Sequence, residues 1–406
     1  MKYNDYDRSI QEETMDIFEK CEKFDTANEI RRKGIYPYFH ALESRQDTEV
    51  IMEGKRRIML GSNNYLGLTT NPEIIEAGIR AFRKYGTGCS GSRFLNGTLE
   101  LHLELEKALG HFLNKEAVMI FSTGFQTNLG IISAIVGKDD YVICDRENHA
   151  SIYDGCRLSY GTLLRYRHND MEDLENQLKK VPDTAGKLIV SDGVFSMGGD
   201  ICDLPNIIRL KKQYGARVML DDSHALGVIG KGGRGTASYY GLEKDVDIYM
   251  GTFSKSLASL GGYMAASEQV IDYARHTSRP FIFSASMTPP SCAVTLCALH
   301  YLETHPQIVD DLHHISFYFR KKLTGYGIKI RESETPIIPI FTYETINTLT
   351  IAKELYDNGV YVNCSLPPAA APHECLLRTS LMATHTEQLI DEASDIIAKV
   401  LARYEL

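Results

Sequence analysis

The sequence predicts an α/β fold, in which a large and mostly parallel sheet carries helices on both faces and a smaller α+β domain follows. The first observation is an alternation of short apolar runs with helical patterns between residues 90 and 293. Five such runs lie at residues 118–121, 141–144, 188–190, 218–220 and 248–250. Apolar runs that alternate with helices are typical of parallel strands buried on both faces. The second observation is a change of pattern after Pro289 and Pro290, where apolar runs at residues 336–340 and 360–362 indicate a smaller sheet.

The parts of the chain can be assigned in order. Apolar positions at helical spacing predict an amphipathic helix within residues 10–32, with a charged outer face. A strand at residues 58–60 leads into a turn-rich loop, and Pro72 begins a helical pattern. We expect an N-terminal helical segment (residues 1–57), a large domain (58–293) and a small C-terminal domain (294–406).

Composition excludes several classes of protein. The chain has 406 residues, of which 43% are hydrophobic and 24% charged, as in ordinary soluble globular proteins. The net charge is -9 and there is no basic block, so we expect no nucleic-acid partner. No apolar run approaches the roughly 18 residues of a membrane helix, and the N-terminus lacks the apolar core of a signal peptide. Nine cysteines without a CxxC pair favour a reducing cytoplasm over a disulfide framework or a metal site.

Lys255 is the first candidate catalytic residue. It follows the run at 248–250 and stands among the hydroxyl residues Thr252 and Ser254. Poor solvation disfavours the charged form of a lysine, so its amine becomes a better nucleophile. A lysine amine beside hydroxyls that can hold a phosphate is what a pyridoxal phosphate enzyme requires. A lone Ser-Lys pair is more often a polar surface turn, so this interpretation depends on the other strand ends.

Ligand chemistry in open α/β sheets gathers at the carboxyl ends of the strands. Each of the other four runs of the large sheet is also followed by polar or reactive residues. The candidates are Gly124 and Phe125 after the first run, His149 after the second, Ser196 after the third, and Asp221 and His224 after the fourth. One coherent set at five strand ends argues against a collection of structural residues, although a single histidine among them would usually be structural.

The chemistry of pyridoxal phosphate explains this set. Asp221 is the candidate carboxylate for the ring nitrogen, because a nearby negative charge favours the protonated ring that drains electrons. For the adjacent Asp222, we favour a structural role in capping a turn. His149 can stack on the ring, and Ser196 and His224 can bond to its 3-oxygen. The amides at Gly124 and Phe125 begin a helix and form a phosphate seat.

Two glycine patterns match the dinucleotide-binding motif GxGxxG, at residues 86–91 and 230–235. The first follows a helical pattern, and the second lacks an acidic residue at the required distance. We interpret both as loops, and a nucleotide-binding function rests on these patterns alone.

With these residues in place, the chain resembles the α-oxoamine synthases, pyridoxal phosphate enzymes of fold type I. They condense an amino acid with an acyl-CoA thioester and release CO2. The resemblance runs from about Tyr36 to the C-terminus, through NNYLGL, GTGCSGSRFLNGT, FSTGFQTNLG, NHASIYDG, DGVFSMGGDI, DDSHALGVIG and GTFSKS. It implies a fold type I transferase with pyridoxal 5'-phosphate as cofactor, working as a homodimer with shared active sites.

Within this family, GTFSKS and HASIYDG most resemble the soluble bacterial serine palmitoyltransferases. That branch implies L-serine and palmitoyl-CoA as substrates and 3-oxosphinganine as product, with peripheral membrane contact as an option for a C16 product. The alternative is glycine C-acetyltransferase, because DDSHA and SRPFIFS also resemble motifs of that enzyme. A non-catalytic scaffold subunit of the same fold would not need Lys255. One departure is Leu366, where some relatives carry an arginine before Pro367 and Pro368, so a second mobile arginine is in doubt.

The resemblance also assigns residue roles. Lys255 forms the Schiff base and moves the α-proton, and His149 stacks on the ring and bonds to the serine carboxylate. Asn64 and Arg378 line the substrate site, where the planar fork of Arg378 binds the carboxylate. Residues 284–286 approach the phosphate in the partner subunit. The remaining roles are those given above for Asp221, Ser196, His224, Gly124, Phe125, Thr252 and Ser254.

Overall fold

The structure is a computed structural model that describes residues 16–404 except 368 and 372. The part of the predicted N-terminal helix before residue 16 lies outside the described residues, as does Pro368. The strands are β1 (Glu49–Met52), β2 (Lys55–Met59), β3 (Ala117–Phe121), β4 (Tyr141–Asp145), β5 (Thr162–Tyr166), β6 (Lys187–Asp192), β7 (Arg217–Asp221), β8 (Ile248–Thr252), β9 (Gly262–Ala266), β10 (Ile337–Tyr343), β11 (Val360–Tyr361), β12 (Asn363–Ser365) and β13 (Cys375–Ser380).

The α-helices lie between and around these strands. They are α1 (Glu19–Glu22), α2 (Thr26–Arg32), α3 (Pro72–Tyr85), α4 (Glu100–Leu113), α5 (Gly124–Ile135), α6 (Ala150–Leu158), α7 (Met171–Leu178), α8 (Leu204–Tyr214), α9 (Thr236–Tyr240), α10 (Glu268–Thr277), α11 (Arg279–Ile282), α12 (Pro289–Thr304), α13 (Gln307–Gly325), α14 (Thr345–Asp357) and α15 (Glu387–Leu401).

A seven-stranded sheet in the order β3-β9-β8-β7-β6-β4-β5 forms the centre of the molecule. Its strands are parallel except for β9, which runs antiparallel between β3 and β8. The five apolar runs predicted as strands are β3, β4, β6, β7 and β8. The mostly parallel α/β fold predicted from the sequence is confirmed. The strand β5, which lies at the edge of the sheet with exposed Thr162 and Arg165, was not predicted.

Alternate residues of each strand enter two different apolar clusters. On β6, Ile189 belongs to one cluster and Val190 to the other, and both side chains are fully buried. Because successive side chains of a strand point to opposite faces, the two clusters are the two helix-covered faces of the sheet. Burial on both faces explains why these strands are apolar throughout.

Two smaller sheets involve the C-terminal part of the chain. One has the order β10-β13-β12 and is antiparallel. The other joins β1 and β2 to β11, with Val360 paired in parallel to Ile58. The strand predicted at residues 58–60 therefore pairs with the C-terminal part of the chain. The division of the chain at residues 57/58 and 293/294 stays a prediction.

The N-terminal segment forms two short helices, α1 and α2, where the sequence predicted one. Lys23, Phe24 and Asp25 separate them, and neither helix buries a residue. Among the described residues, no helix combines the length and the apolarity of a membrane span. The first glycine pattern forms a loop, and the second forms a loop around one turn of 3₁₀ helix at Lys231–Gly233, with positive backbone φ at Gly230, Gly232 and Gly235.

Candidate active site

A cavity of about 290 Å³ opens at the carboxyl ends of the central strands. Nine of the eleven residues proposed from the sequence line it. They are Gly124, Phe125, His149, Ser196, Asp221, His224, Thr252, Ser254 and Lys255. The other two, Asn64 and Arg378, do not line this cavity.

Lys255 enters the cavity from the turn that follows β8. Its side chain is half-buried, and within the described residues its amine has no hydrogen bond or ion pair. Burial lowers the pKa of Lys255 to about 8, although the carboxylates of Asp221 and Asp192 oppose this shift. About a tenth of this amine is therefore uncharged at pH 7, far more than for an ordinary lysine, and the neutral amine is the nucleophile.

Asp221 is the last residue of β7, and its side chain is buried. Its Oδ2 accepts a hydrogen bond from Asn128 Nδ2 at 2.8 Å, and its Oδ1 accepts one from Ser223 N at 3.0 Å. No lysine, arginine or histidine pairs with it within 4 Å among the described residues. These two donors carry no charge, which leaves the carboxylate available to a cationic group in the cavity.

His149 lies at the start of α6, and a second carboxylate fixes its backbone. Its N–H donates to Asp192 Oδ2 at 2.9 Å, and its Nδ1 lies 2.7 Å from Ser151 Oγ. Burial lowers the pKa of His149 and keeps the ring neutral near pH 7. Burial, together with the charge of Asp221, raises the pKa of Asp192 well above its ordinary value.

His224 belongs to a hydrogen-bonded chain that reaches Arg378 on β13. The hydroxyl of Tyr65 lies 2.7 Å from His224 Nδ1 and 3.2 Å from Arg378 Nη2. Arg378 also donates to Asn63 Oδ1 at 2.9 Å and to the carbonyl of Ser196 at 2.5 Å. The donors of the Arg378 fork are therefore held by protein groups. Asn64, in the same loop, donates to Thr69 Oγ1 at 2.7 Å.

The other end of the cavity suits a phosphate. Thr123 caps α5 by accepting from Gln126 N, and the amides of Gly124 and Phe125 face no partner within the helix. Thr252 Oγ1 and Ser254 Oγ lie 3.0 Å apart beside this helix start. A Cβ at Gly124 would stand 2.7 Å from Thr252 Oγ1, so only glycine allows this approach.

The donor set fits pyridoxal phosphate. Backbone amides and hydroxyls can bind its phosphate, the buried carboxylate of Asp221 can pair with its ring nitrogen, and the amine of Lys255 can react with its carbonyl carbon. The same cavity offers the imidazole of His149 for stacking.

Comparison with known proteins gives the family. The profile of the family described as Aminotransferase class I and II matches residues 55–397, which is more than half of the chain. The chain belongs to the aminotransferase class I and II family. The resemblance stated from the motifs is confirmed at this level.

Proteins similar to this chain align with it over nearly its whole length. A protein named serine palmitoyltransferase from Sphingobacterium spiritivorum is 50% identical over 390 residues, covering 96% of this chain and 98% of its own length. One of the same name from Bacteroides thetaiotaomicron is 48% identical over 388 residues, with coverages of 96% and 98%. A solved structure described as SPT with PLP internal aldimine superposes with a TM-score of 0.93 at 34% identity, covering 96% of this chain and 99% of the other.

Several residues around the cavity were not proposed from the sequence. Asn128, Ser151, Asp192 and Ser223 line it, and Tyr65 and Asn63 bind its neighbours. Asp192 stands at the end of an apolar run, so the signal that found Asp221 could also have found it. Asn128 lies inside α5 and Tyr65 inside a loop; both stand in motifs of the resemblance, FSTGFQTNLG and NNYLGL, but no strand end or helix start distinguishes them from their neighbours.

Two further positions singled out from the sequence lie elsewhere. Ser286 N donates to Gly91 O at 2.9 Å, which places the segment 284–286 beside the loop of the first glycine pattern. Leu366 follows β12, and its carbonyl accepts from Ala369 N at 2.8 Å. Their proposed or doubted roles stay predictions.

Proposed function

We propose that this protein is a serine palmitoyltransferase, which uses pyridoxal 5'-phosphate to condense L-serine with palmitoyl-CoA. The products are 3-oxosphinganine, CoA and CO2. One observation carries the proposal: Lys255 and Asp221 line a single cavity in a chain that is 50% identical to a relative of this name over 96% of its length. The solved SPT structure described with PLP internal aldimine supports the cofactor.

The cofactor, when bound, supplies an electron sink through its protonated ring. Asp221 holds the proton at the ring nitrogen, and Asn128 keeps this carboxylate in position. Each unit by which the carboxylate raises the pKa of that nitrogen corresponds to about 1.4 kcal/mol of differential interaction. His149 stacks over the ring, and Ser196 and His224 bind its 3-oxygen.

Lys255 moves the proton of the substrate. Its amine has a pKa lowered to about 8, so it can accept a proton from the α-carbon of serine and return it later. The new bond joins that carbon to the acyl carbonyl and expels CoA, and the carboxyl group leaves as CO2. The amides of Gly124 and Phe125 and the hydroxyls of Thr252 and Ser254 hold the cofactor phosphate throughout the reaction.

Arg378 and Asn64 form the side of the site that binds the amino-acid substrate. The carboxylate of serine takes the place of protein acceptors on the Arg378 fork, because a charge-assisted pair is stronger than the neutral bonds that hold it now. His149 gives the same carboxylate a second partner. Neither residue distinguishes serine from glycine, since both amino acids carry the same amine and carboxylate.

We infer the remaining features from the same resemblance. The protein works as a cytoplasmic homodimer with shared active sites. Each of the nine cysteines is a free thiol, which supports a reducing compartment. Leu95 and Phe283 are 77% and 75% exposed, and a partner subunit would cover such large apolar side chains.

A turnover assay with two substrate pairs tests the proposal. We expect L-serine with palmitoyl-CoA to release CoA far faster than glycine with acetyl-CoA. A site that hydrogen-bonds the hydroxymethyl group leaves polar groups unpaired when glycine binds.

Lys255→Ala is the control, and it should abolish turnover with both pairs while the protein stays folded. Faster turnover of glycine with acetyl-CoA would make the protein a glycine C-acetyltransferase. Equal turnover by the Lys255→Ala variant would contradict the catalytic role of the lysine.

A further inference from the structure

The hydroxyl of Tyr65 lies between two residues with proposed roles, His224 and Arg378. Tyr65 is fully buried in the loop after β2, and its carbonyl accepts a hydrogen bond from Ala383 N at 2.7 Å. The backbone of this residue is therefore held by the segment that follows β13. Its side chain joins the edge of the cavity to the C-terminal sheet.

The direction of the hydrogen bonds follows from what each group can donate. The guanidinium of Arg378 has donors only, so the Tyr65 hydroxyl oxygen accepts from Nη2 at 3.2 Å. The hydroxyl proton then has two acceptors in reach, His224 Nδ1 at 2.7 Å and Asn63 Oδ1 at 3.5 Å. The shorter distance assigns the proton to His224, because a hydrogen bond at 3.5 Å is weak. Arg378 Nη2 already donates to Asn63 Oδ1 at 2.9 Å.

A neutral histidine that accepts at Nδ1 carries its proton at Nε2. Burial, with the charges of Lys255 and Arg378, holds the pKa of His224 well below its ordinary value. His224 lines the cavity, and its Nε2 has no hydrogen-bond partner among the described residues. The Nε2–H group is therefore what this histidine offers to a ligand.

We propose that Tyr65 is a positioning residue that fixes His224 in the Nε2–H tautomer and links it to Arg378. The link rests on the proposed function, in which Arg378 binds the substrate carboxylate. When a carboxylate draws the Nη2 donor away, the Tyr65 hydroxyl loses a cationic partner. Hydrogen bonds in a chain polarise one another, so the donor strength at His224 Nε2 falls. Occupancy of the carboxylate site is thereby communicated to the 3-oxygen of the cofactor.

Nuclear magnetic resonance of the full-length protein labelled with ¹⁵N-histidine tests the tautomer. The His224→Gln variant identifies the His224 signals by their loss. We expect the wild-type protein to show a protonated Nε2 and an unprotonated Nδ1. In Tyr65→Phe, we expect the Nδ1 signal to shift and a mixture of tautomers to form. Wild-type His224 with its proton at Nδ1 overturns the proposal, whatever the variants do.

Tyr263→Phe is the matched control. Tyr263 is also a fully buried tyrosine, but its hydroxyl has no hydrogen-bond partner in the described structure. We expect this variant to leave the His224 signals unchanged and Tyr65→Phe to raise the Kd of pyridoxal phosphate about threefold to tenfold. If Tyr263→Phe produces the same changes as Tyr65→Phe, loss of a buried hydroxyl explains both and the proposal fails.

The link to Arg378 is tested in the absence of substrate. We expect Arg378→Gln to shift the ¹⁵N signals of His224, and we expect no such shift when the same change is made in the Tyr65→Phe background. An identical shift in both backgrounds overturns the link. These outcomes do not depend on turnover, so an absence of palmitoyltransferase activity would reject the proposed function and leave this result standing.

Discussion

Two aspartates stand side by side at the ends of neighbouring strands, Asp192 on β6 and Asp221 on β7, and their Cα atoms are paired in register. Two charged carboxylates at this separation repel each other in a buried site. Burial and the charge of Asp221 raise the pKa of Asp192 well above its ordinary value, which relieves this repulsion by favouring the protonated form of Asp192. In either protonation state, Asp192 can accept the hydrogen bond from His149 N. The two carboxylates are therefore unequal, and the charge that burial and repulsion disfavour is that of Asp192.

The lowered pKa of Lys255 predicts the pH dependence of cofactor attachment. A lysine reacts as the neutral amine, so attachment grows as pH rises through the pKa of the group. We expect trapping of pyridoxal phosphate by borohydride to reach half of its maximum near pH 8. An unperturbed lysine would give a midpoint near 10.4.

Peptide mapping of the trapped protein locates the attachment, with Lys255→Ala as the background. A midpoint above about 10, or a label on a different lysine, would contradict the prediction.

At the scale of elements, His168 joins the ends of three central strands. Its Nδ1 lies 3.0 Å from Asp145 Oδ1 at the end of β4, and its Nε2 lies 2.8 Å from Asp200 Oδ2 in the loop after β6. His168 itself follows β5. Burial alone lowers the pKa of this histidine, but the hydrogen bonds to Asp145 and Asp200 outweigh it and raise the pKa to about 10. The imidazolium thus fixes the loop that carries Ser196.

This clamp makes stability depend on alkaline pH. The folded protein binds a proton at His168 up to about pH 10, whereas the unfolded chain releases it near 6.5. The contribution is complete below pH 6.5 and is lost as pH rises through 10. We expect His168→Gln to lower the free energy of unfolding by about 2–3 kcal/mol at pH 6.5 and to flatten its decline toward pH 10.

Urea unfolding at several pH values measures both effects. His314→Gln is the control, because His314 pairs with Glu387 on the surface and should change the free energy of unfolding by less than about 0.5 kcal/mol. An unchanged pH profile in His168→Gln would show that the clamp is not charged.

The sequence predicted the elements whose burial is uniform and the site residues that follow them. The strand β6 is buried at each of its six residues, so its apolar run was visible without a structure. The edge strand β5 has one buried residue in five, and its pattern did not stand out. In the site, Lys255 and Asp221 follow buried strands. Tyr65 reaches His224 across 159 positions of the chain, and no local pattern reports such a contact.

At the scale of the whole molecule, the loop after β2 is held by the last residue of β13 and by the segment that follows it. The carbonyl of Leu60 accepts from Ser380 N at 2.7 Å, and the carbonyl of Tyr65 accepts from Ala383 N at 2.7 Å. On the surface nearby, Arg56 pairs with Glu392 at 2.7 Å. These contacts fix the loop that carries Asn63, Asn64 and Tyr65, so the substrate side of the site depends on the C-terminal part of the chain.

Gly67 gives a test of this contact. Its φ is 66°, and a Cβ there would stand 2.3 Å from Thr384 Oγ1. We expect Gly67→Ala to reduce the free energy of unfolding by about 2–4 kcal/mol, because left-handed strain and overpacking both act. Urea unfolding measures the loss.

Gly215 is the matched control, since its φ of 63° and ψ of 29° lie in the same left-handed region but nothing lies within 4 Å of a Cβ. Gly215→Ala should cost only about 1–2 kcal/mol of backbone strain. Adding Thr384→Ala to Gly67→Ala should recover part of the stability. Equal losses in the two single variants, with no recovery in the double variant, would mean that Thr384 contributes nothing.

The pairing of Ile58 with Val360 has a consequence for biosynthesis. Some 300 residues separate the two partners, and a ribosome that adds roughly 5–20 residues per second needs about 15–60 s to supply the second strand. During that interval β1 and β2 are a lone hairpin, and lone hairpins are marginally stable in water. The open side of β2 is then a template for any passing strand, including that of another nascent copy. A chaperone that shields this edge until Val360 emerges would raise the yield of folded protein, most strongly when many copies are translated at once.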